Sequence, residues 1–329
     1  MSNKILSIIV PSYNISNFID ECVPKYIDKS LFEDIDIYFI DDGATDDTAK
    51  KLSEYIKKYP SFFHFYHKEN GGHGSVINYG ITNCVETKYF KVIDGDDFVD
   101  FSALHNLAEY LKTCDDDLIV SGFSEKYPNK ETKRTPLLID NGSFIEKKTY
   151  DSKILPSLNV TIHSCTFKSS IFKNNKIVLP EKTFYEDNLY ILYTIPFLQS
   201  ISFLNEYVYY YRLGNPNQSV SKISRAKHFN DSLNVRKLAI SYFDKYIYGK
   251  NVDKELFAAR KYARGMSCYR SAIIVNDDLK ASKIQCLQFL KEDKKYKSIL
   301  AELKKSKLLR FLFFTRFSFL GLVRKHLLK

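Results

Sequence analysis

In the stretch Tyr89-Phe-Lys-Val-Ile-Asp-Gly-Asp-Asp97, a run of strand-forming residues ends directly in three carboxylates. A second run, Ile37-Tyr-Phe-Ile40, ends in Asp41-Asp-Gly43 in the same way. A carboxylate at the end of a buried strand destabilises the folded state unless a cation binds it or a ligand forms a hydrogen bond with it. Open α/β sheets bind ligands at the carboxyl ends of their parallel strands. The two segments therefore predict a site for a metal and a nucleotide diphosphate at one edge of a sheet.

Apolar runs alternate with helical patterns along the first part of the chain, which is typical of repeated strand–helix units. The predicted strands are Leu6–Val10, Ile35–Ile40, Phe62–His67, Tyr89–Ile93, Leu118–Ser121 and Glu206–Arg212. The predicted helices are Ile19–Lys29, one capped by Thr45 and Asp46, Ser75–Cys84 and Ala103–Lys112, while Tyr127–Thr135 is expected to be a polar surface excursion. We predict an α/β domain with a mostly parallel, doubly wound sheet over residues 1–222, followed by a helical C-terminal region over residues 223–329.

The composition is that of an ordinary folded protein, with 44% hydrophobic and 27% charged residues in 329. The six cysteines form no CxxC pair and lie mostly in apolar runs, so we interpret them as reduced core thiols of a cytoplasmic protein. The first residues lead straight into a predicted strand, and no signal peptide is expected. The net charge is +10, but the chain outside its basic tail is nearly balanced, which argues against a nucleic-acid partner.

The tail from Leu303 to Lys329 combines bulky apolar residues with eight lysines and arginines and no acid. Arg310 and Arg316 interrupt the apolar run, and each would cost about 2.5–3.5 kcal/mol at a bilayer centre, so a membrane span is not expected. A position in the interface of an anionic membrane fits better, because each cation gains about 1 kcal/mol there. The alternative is a last helix packed on the catalytic domain. The tail thus predicts a peripheral protein on the inner face of the plasma membrane.

Five segments in a fixed order carry a resemblance to a known family: Ile9-Val-Pro-Ser-Tyr-Asn14, Ile40-Asp-Asp-Gly-Ala-Thr-Asp46, Asn70-Gly-Gly-His-Gly-Ser-Val-Ile-Asn78, Asp94-Gly-Asp-Asp97 and Phe184-Tyr-Glu-Asp187. Over about residues 5–221 the chain resembles the family 2 glycosyltransferases of the GT-A fold, of the bacterial surface and capsular polysaccharide type. The resemblance implies an inverting enzyme with a nucleotide-sugar donor, a UDP-sugar being favoured. The acceptor is expected to be the hydroxyl of a glycan or of a polyprenyl-linked glycan, because the basic aromatic tail suggests an acceptor bound to the membrane.

The donor-binding residues are expected near the first two strand ends and in the glycine-rich loop. The loop that begins at Pro11 is expected at the nucleotide end of the sheet. The resemblance implies that Tyr13 stacks on the base, the alternative being a turn with an aromatic lid. It also implies that Asp42 accepts the N–H group of the base, whereas Asp41 is structural. Glycine allows the backbone to approach a phosphate closely, and a helix start favours an anion, which points to Gly72. Donor contacts are also expected from His73 and Asn78, although a solvent-facing role for His73 is equally compatible with the sequence. Ile77 stands where the family commonly has a basic residue.

The acid segment is expected to hold a divalent cation. An extended backbone would place Asp94 and Asp96 on the same side, where two like charges repel unless a cation lies between them. Hard oxygen ligands suit Mg²⁺ or Mn²⁺. The resemblance implies that Asp96 is the direct ligand, that Asp94 contacts the ribose or the metal, and that Asp97 shares the site.

The acceptor side of the reaction is expected at Glu186-Asp187. The resemblance implies that Asp187 is the general base and that Glu186 orients it or touches the acceptor. Arg212 and Ser219 are expected to contact the diphosphate, because the loop after Arg212 lacks the histidine that the family often carries there. Two other functions are weighed: a nucleotidyltransferase, which would need a basic glycine-rich loop after the first strand, and a non-catalytic binding protein on the same scaffold.

Overall fold

The computed structural model describes residues 4–135, 160–214, 218–219, 221–276 and 278–328 of the chain. These residues divide into two compact units, with the boundary between Gly214 and Asn215. The first unit is an α/β unit and the second is helical.

Nine strands are described in the first unit: β1 (Leu6–Ser12), β2 (Ile35–Asp41), β3 (Phe63–His67), β4 (Tyr89–Val92), β5 (Phe98–Val99), β6 (Leu118–Tyr127), β7 (Lys130–Arg134), β8 (Cys165–Lys168) and β9 (Ile201–Arg212). They form one sheet in the order β3-β2-β1-β4-β8-β6-β9-β5, with β7 paired to β6. The predicted parallel arrangement is confirmed for β3, β2, β1 and β4. Beyond β4 the sheet is mixed, because β8 runs antiparallel to both of its neighbours while β6 and β9 are parallel.

The apolar runs form the strands because both faces of the parallel part are covered. All seven residues of β2 are buried, and so are all four residues of β4. The flanking helices of this unit are α1 (Ile19–Cys22), α2 (Thr48–Lys58), α3 (His73–Asn83), α4 (Phe101–Thr113), α5 (Ser169–Asn174) and α6 (Asp187–Leu192). Parallel pairing brings the carboxyl ends of β1, β2 and β4 to one edge, where the predicted site residues follow each strand.

Three local predictions need correction. The helix expected over Ile19–Lys29 ends at Cys22 and continues as 3-10 turns, because the ring of Pro24 interrupts a regular helix. Helix α2 begins at Thr48. Of the two proposed caps, Thr45 and Asp46, it is the Asp46 carboxylate that accepts the backbone N–H of Thr48. The expected surface excursion is a hairpin in which β6 runs on to Tyr127 and β7 returns from Lys130.

The second unit consists of eight described helices: α7 (Lys222–Lys227), α8 (Phe229–Tyr246), α9 (Val252–Gly265), α10 (Tyr269–Val275), α11 (Leu279–Asp293), α12 (Lys297–Lys304), α13 (Lys307–Phe314) and α14 (Leu320–Leu328). Its core contains the buried ion pair of Arg236 and Asp293, 2.8 Å apart, and the Asp293 carboxylate also accepts the hydroxyls of Tyr262 and Tyr269. Among the described residues, no helix has the length and apolar character that crossing a bilayer requires.

Candidate active site

The three acids after β4 lie in a tight turn. The N–H of Asp97 donates to the carbonyl of Asp94 at 3.0 Å, and the N–H of Gly95 donates to the carbonyl of Pro11 at 3.1 Å. A Cβ at Gly95 would lie 2.6 Å from that same carbonyl oxygen, so the close approach to β1 requires glycine. The extended backbone expected here is therefore wrong, and the turn rather than strand alternation sets the directions of the carboxylates.

The turn is anchored by β9, the strand of three consecutive tyrosines. The hydroxyl of Tyr209 donates to Asp97 at 2.6 Å and lies 3.2 Å from Asp94. The backbone N–H of Arg212 donates to the other oxygen of Asp97 at 2.7 Å. The guanidinium of Arg212 donates to the carbonyl of Asp96 and pairs with Glu21. Arg212 therefore lies beside the acids, while its contact to a diphosphate stays a prediction.

The acids are strongly coupled electrostatically. Burial, followed by the charge of Asp94, raises the pKa of Asp96 to about 6. Burial and the charges of Asp96 and Asp94 raise the pKa of Asp97 well above its ordinary value. Burial would also raise the pKa of Asp94, but the hydrogen bond and charge of His73 lower it. A cation between these groups would offset the repulsion that, together with burial, raises the pKa values of Asp96 and Asp97.

A histidine that sequence reasoning missed belongs to this cluster. His163 lies in the 3-10 turn before β8, and one of its ring nitrogens comes within 4.8 Å of carboxylate oxygens of Asp94 and Asp97. Its ring stacks on Tyr211 with the centroids 4.2 Å apart. The two carboxylates suit Mn²⁺ or Mg²⁺, and the imidazole nitrogen favours Mn²⁺ over the harder Mg²⁺. Asp96, the ligand expected from the sequence, is adjacent to this group but not part of it.

His73 connects the acids after β4 with the acids before α6. One ring nitrogen lies 2.6 Å from Glu186 and the other lies 3.0 Å from Asp94. Burial opposes the charged imidazole, but the hydrogen bonds to the two carboxylates outweigh it and raise the pKa of His73 well above the ordinary value. Both nitrogens then donate, and the protonated ring joins two segments that are 92 positions apart in the sequence.

The segment that carries the predicted base is held in an uncommon conformation. Lys182 and Tyr185 have φ angles of 48° and 69°, which are rarely adopted by residues other than glycine. The N–H of Lys182 donates to the carbonyl of Gly71, so this segment lies against the glycine-rich loop. Asp187 is half-buried at the start of α6, and its carboxylate accepts the amide of Asn188 at 3.0 Å. Glu186 is buried and faces His73.

Asp42 organises the glycine-rich loop. Its carboxylate accepts the N–H groups of Gly71 and Gly72 at 2.9 and 2.7 Å, and Lys68 lies 2.6 Å away. Gly72 has a φ of 82° and precedes α3, which agrees with the backbone freedom expected of it. The neighbouring Asp41 is buried and accepts the N–H of Ala44, a structural role as predicted.

The remaining predicted donor contacts are distributed differently. Tyr13 is 50% exposed after β1, whereas Pro11 is half-buried within β1. The Asn78 amide pairs with both backbone groups of Leu179 and so fastens the segment before α6 to α3. Ser219 is an exposed turn residue of the second unit. For all four residues, contact with a donor stays a prediction.

The fold is shared with solved glycosyltransferases. The structure of S. aureus TarS 1-349 in complex with UDP-GlcNAc matches with a TM-score of 0.68 and 18% identity, over 98% of this chain and 90% of that chain. The mannosyltransferase PcManGT from Pyrobaculum calidifontis, in complex with GDP-Man and Mn²⁺, matches with a TM-score of 0.55 and 14% identity over 96% and 84%. The predicted α/β fold of the GT-A class is thereby confirmed.

The sequence comparisons identify the family. The family model for glycosyl transferase family 2 matches residues 7–177, and the chain belongs to this family. The uncharacterized glycosyltransferase EpsJ of Bacillus subtilis is 26% identical over 74% of this chain and 70% of its own length. The minor teichoic acid biosynthesis protein GgaB of Bacillus subtilis is 25% identical over 70% of this chain but only 26% of its own length. The chain thus spans most of EpsJ and about a quarter of GgaB.

Proposed function

We propose that this protein is an inverting, metal-dependent glycosyltransferase of cell-surface polysaccharide synthesis. One observation carries the proposal: His73 holds Asp94, from the predicted donor side, and Glu186, from the predicted acceptor side, within a single hydrogen-bonded chain. If Asp94 only completed the edge of the sheet, a hydrogen-bonded link to Glu186, which is distant in the sequence, would not be needed. The role of GgaB in teichoic acid synthesis supports a surface polymer as the product.

The proposed donor is a nucleotide diphosphate sugar, with a UDP-sugar as the first candidate. Tyr13 supplies an exposed ring on which a base can stack. Asp42, which already holds the glycine-rich loop, lies at the end of the neighbouring strand β2. The UDP-GlcNAc bound to TarS and the GDP-Man bound to PcManGT support a nucleotide-sugar and leave the base open between uracil and guanine.

The proposed cofactor is Mn²⁺ or Mg²⁺. Asp94, Asp97 and His163 provide ligand atoms close enough to surround one ion, and Asp96 is near enough for its pKa to respond to Asp94. When bound, such a cation neutralises the charge of the leaving diphosphate. The Mn²⁺ in PcManGT supports this cofactor.

Asp187 is the proposed general base. Its carboxylate takes the proton of an acceptor hydroxyl while that oxygen bonds to the anomeric carbon, and the bond from this carbon to the diphosphate oxygen breaks. The nucleoside diphosphate leaves, and the configuration at the carbon is inverted. Such a base typically contributes about 10²–10⁴ in rate. Glu186 is a positioning residue, because its carboxylate holds the charged His73 against Asp94.

The proposed acceptor is a hydroxyl of a glycan or of a polyprenyl-linked glycan. A lipid-linked acceptor would place the enzyme in the cytoplasm, peripherally on the inner face of the plasma membrane. A non-catalytic binding protein remains the second candidate, because Ile77 replaces an expected polar residue and Asn78 is engaged by Leu179.

Donor binding and hydrolysis test the proposal together. Nucleotide-sugars are first screened by thermal shift with and without Mn²⁺, because a ligand that binds the native state raises its melting temperature. The selected donor is then assayed for metal-dependent hydrolysis in the wild type, in Asp187→Asn and in Glu54→Gln, which changes an exposed acid of α2. We expect Asp187→Asn to bind donor normally and to lose about 10²–10⁴ in rate. Binding without turnover in the wild type, with and without candidate acceptors, would favour the binding protein.

A further inference from the structure

Helices α13 and α14 have apolar side chains on two sides. One side is buried within the second unit, through Leu309, Leu312, Phe317, Leu320 and Val323. The other side is open to solvent and comprises Phe311, Phe314, Phe319 and Leu322, which are 46%, 88%, 46% and 67% exposed. We refer to these four residues as the aromatic face. The ring of Phe311 in α13 lies 5.7 Å from the ring of Phe319 in the turn before α14, so the exposed apolar surface of α13 continues into this turn.

The aromatic face lies in a strongly basic environment. Lys307, Arg310, Arg316 and Lys325 are exposed on the same two helices and the turn between them, and no acid follows Glu302. The bias extends over the whole C-terminal region: residues 223–329 contain 25 lysines and arginines against 9 acids, whereas residues 1–222 contain 24 against 30. The net positive charge of the protein is therefore carried entirely by the region that bears the aromatic face.

Three kinds of partner are to be compared for such a surface. A second copy of the chain would bring like charges together, which is unfavourable at short range. A soluble polyanion would neutralise the cations but leave the phenylalanine rings in water. The surface of an anionic bilayer satisfies both features, because the rings enter the boundary between headgroups and acyl chains while the cations meet lipid phosphates.

We propose that the second unit docks on an anionic lipid surface through the aromatic face, with Phe314 and Leu322 inserted and Lys307 and Arg310 at the headgroups. The inference deepens the proposed function by naming the surface that would hold the enzyme near a lipid-linked acceptor. The tail cannot be separated from the fold, since one side of each helix is buried in the second unit. Deleting the tail would remove buried Leu312 and Phe317 and would not be a clean test.

Point variants on the exposed side provide that test. The full chain, its Phe314→Ser/Leu322→Ser variant and its Lys307→Gln/Arg310→Gln variant are sedimented with vesicles of phosphatidylcholine, with or without phosphatidylglycerol. Phe101→Ser is the matched control, because Phe101 is a 55% exposed phenylalanine of the first unit. Thermal unfolding verifies that each variant is folded, and size-exclusion chromatography reports its oligomeric state. Donor is omitted, so vesicle binding is measured independently of the transfer reaction.

We expect the wild type and Phe101→Ser to bind vesicles that contain phosphatidylglycerol, and salt to weaken this binding. The partition coefficient of the Phe314→Ser/Leu322→Ser variant into these vesicles should fall by at least about tenfold. The reason is that two apolar side chains are no longer transferred from water into the membrane interface. Loss of phosphatidylglycerol or of the two cations should also weaken binding. No vesicle binding by the wild type, or unchanged binding by the doubly apolar-to-serine variant, would overturn the proposal. A change of oligomeric state in that variant would instead identify a second copy as the partner.

Discussion

Replacing Lys91 by methionine perturbs a charged group that lies entirely inside the first unit. Lys91 occupies the third position of β4 and is 0% exposed. Its ammonium group donates to the carbonyls of His163 and Cys165 at 2.8 and 3.1 Å, so it connects β4 to the turn that carries His163. Burial lowers the pKa of Lys91 from the ordinary value of 10.5 to about 8.

The magnitude follows from this difference in pKa. Below about pH 8, Lys91 is charged in both the native and the unfolded state, and its contribution to stability does not depend on pH. Between about pH 8 and 10.5 the native state releases the proton while the unfolded state keeps it, so the unfolded state binds more protons. The free energy of unfolding of the wild type should therefore rise with pH in this window. At about 1.4 kcal/mol per pKa unit, it gains about 3 kcal/mol relative to Lys91→Met.

Urea unfolding followed by far-ultraviolet circular dichroism measures the effect from about pH 7 to about pH 10.5. Other groups titrate in this range, but they are common to both proteins, and their contributions cancel in the difference between wild type and variant. Lys50→Met, at an exposed position of α2, is the control and should show no such change. A difference between wild type and Lys91→Met that stays constant across the window would refute the burial of a lysine with a lowered pKa.

Three further outcomes are expected. Gly74→Ala would place a Cβ 2.5 Å from the carbonyl oxygen of Pro180. It should therefore lower the free energy of unfolding in urea by about 1–3 kcal/mol and lower transfer activity. In the control Gly321→Ala the new Cβ has an ordinary 3.4 Å contact, so the protein should not be destabilised. His73→Gln removes the charged partner of buried Glu186 and should cost about 3 kcal/mol at neutral pH, measured in the same way. Chelation should abolish transfer and Mn²⁺ should restore it, and activity that persists in a chelator would exclude the proposed cofactor.

The predictable part of the fold is the part whose signals are local. Buried apolar runs followed by turns predicted β1, β2 and β4 almost to the residue. Strand β8, Cys165–Lys168, was not predicted, because four residues without alternation carry little information until antiparallel neighbours pair with them. The hairpin at Tyr127 was missed because its exposed side chains resemble those of a loop.

The candidate site shows the same division. The acids were predicted because a carboxylate after an apolar strand is a strong local signal, and the structure brings Asp94, Asp96 and Asp97 together in one turn. His163 gave no such signal, since only the turn before β8 and its packing on Tyr211 bring it to the acids. The bridging position of His73 was equally hidden, because both of its partners are distant in the sequence. Sequence patterns thus predict which strand ends carry the chemistry, and long-range packing decides which side chains meet.

The hydrogen bonds of Asp42 have a consequence for the thermodynamics of ligand binding. Gly71, Gly72 and Lys68 are held on this carboxylate by hydrogen bonds within the chain itself, so the loop before α3 loses its conformational entropy during folding. A nucleotide that binds at this edge would not have to order the loop again, and little of its interaction energy would be lost for that purpose. Calorimetry of nucleotide binding should then show a small entropic penalty, unlike the large one expected when a ligand orders a disordered segment.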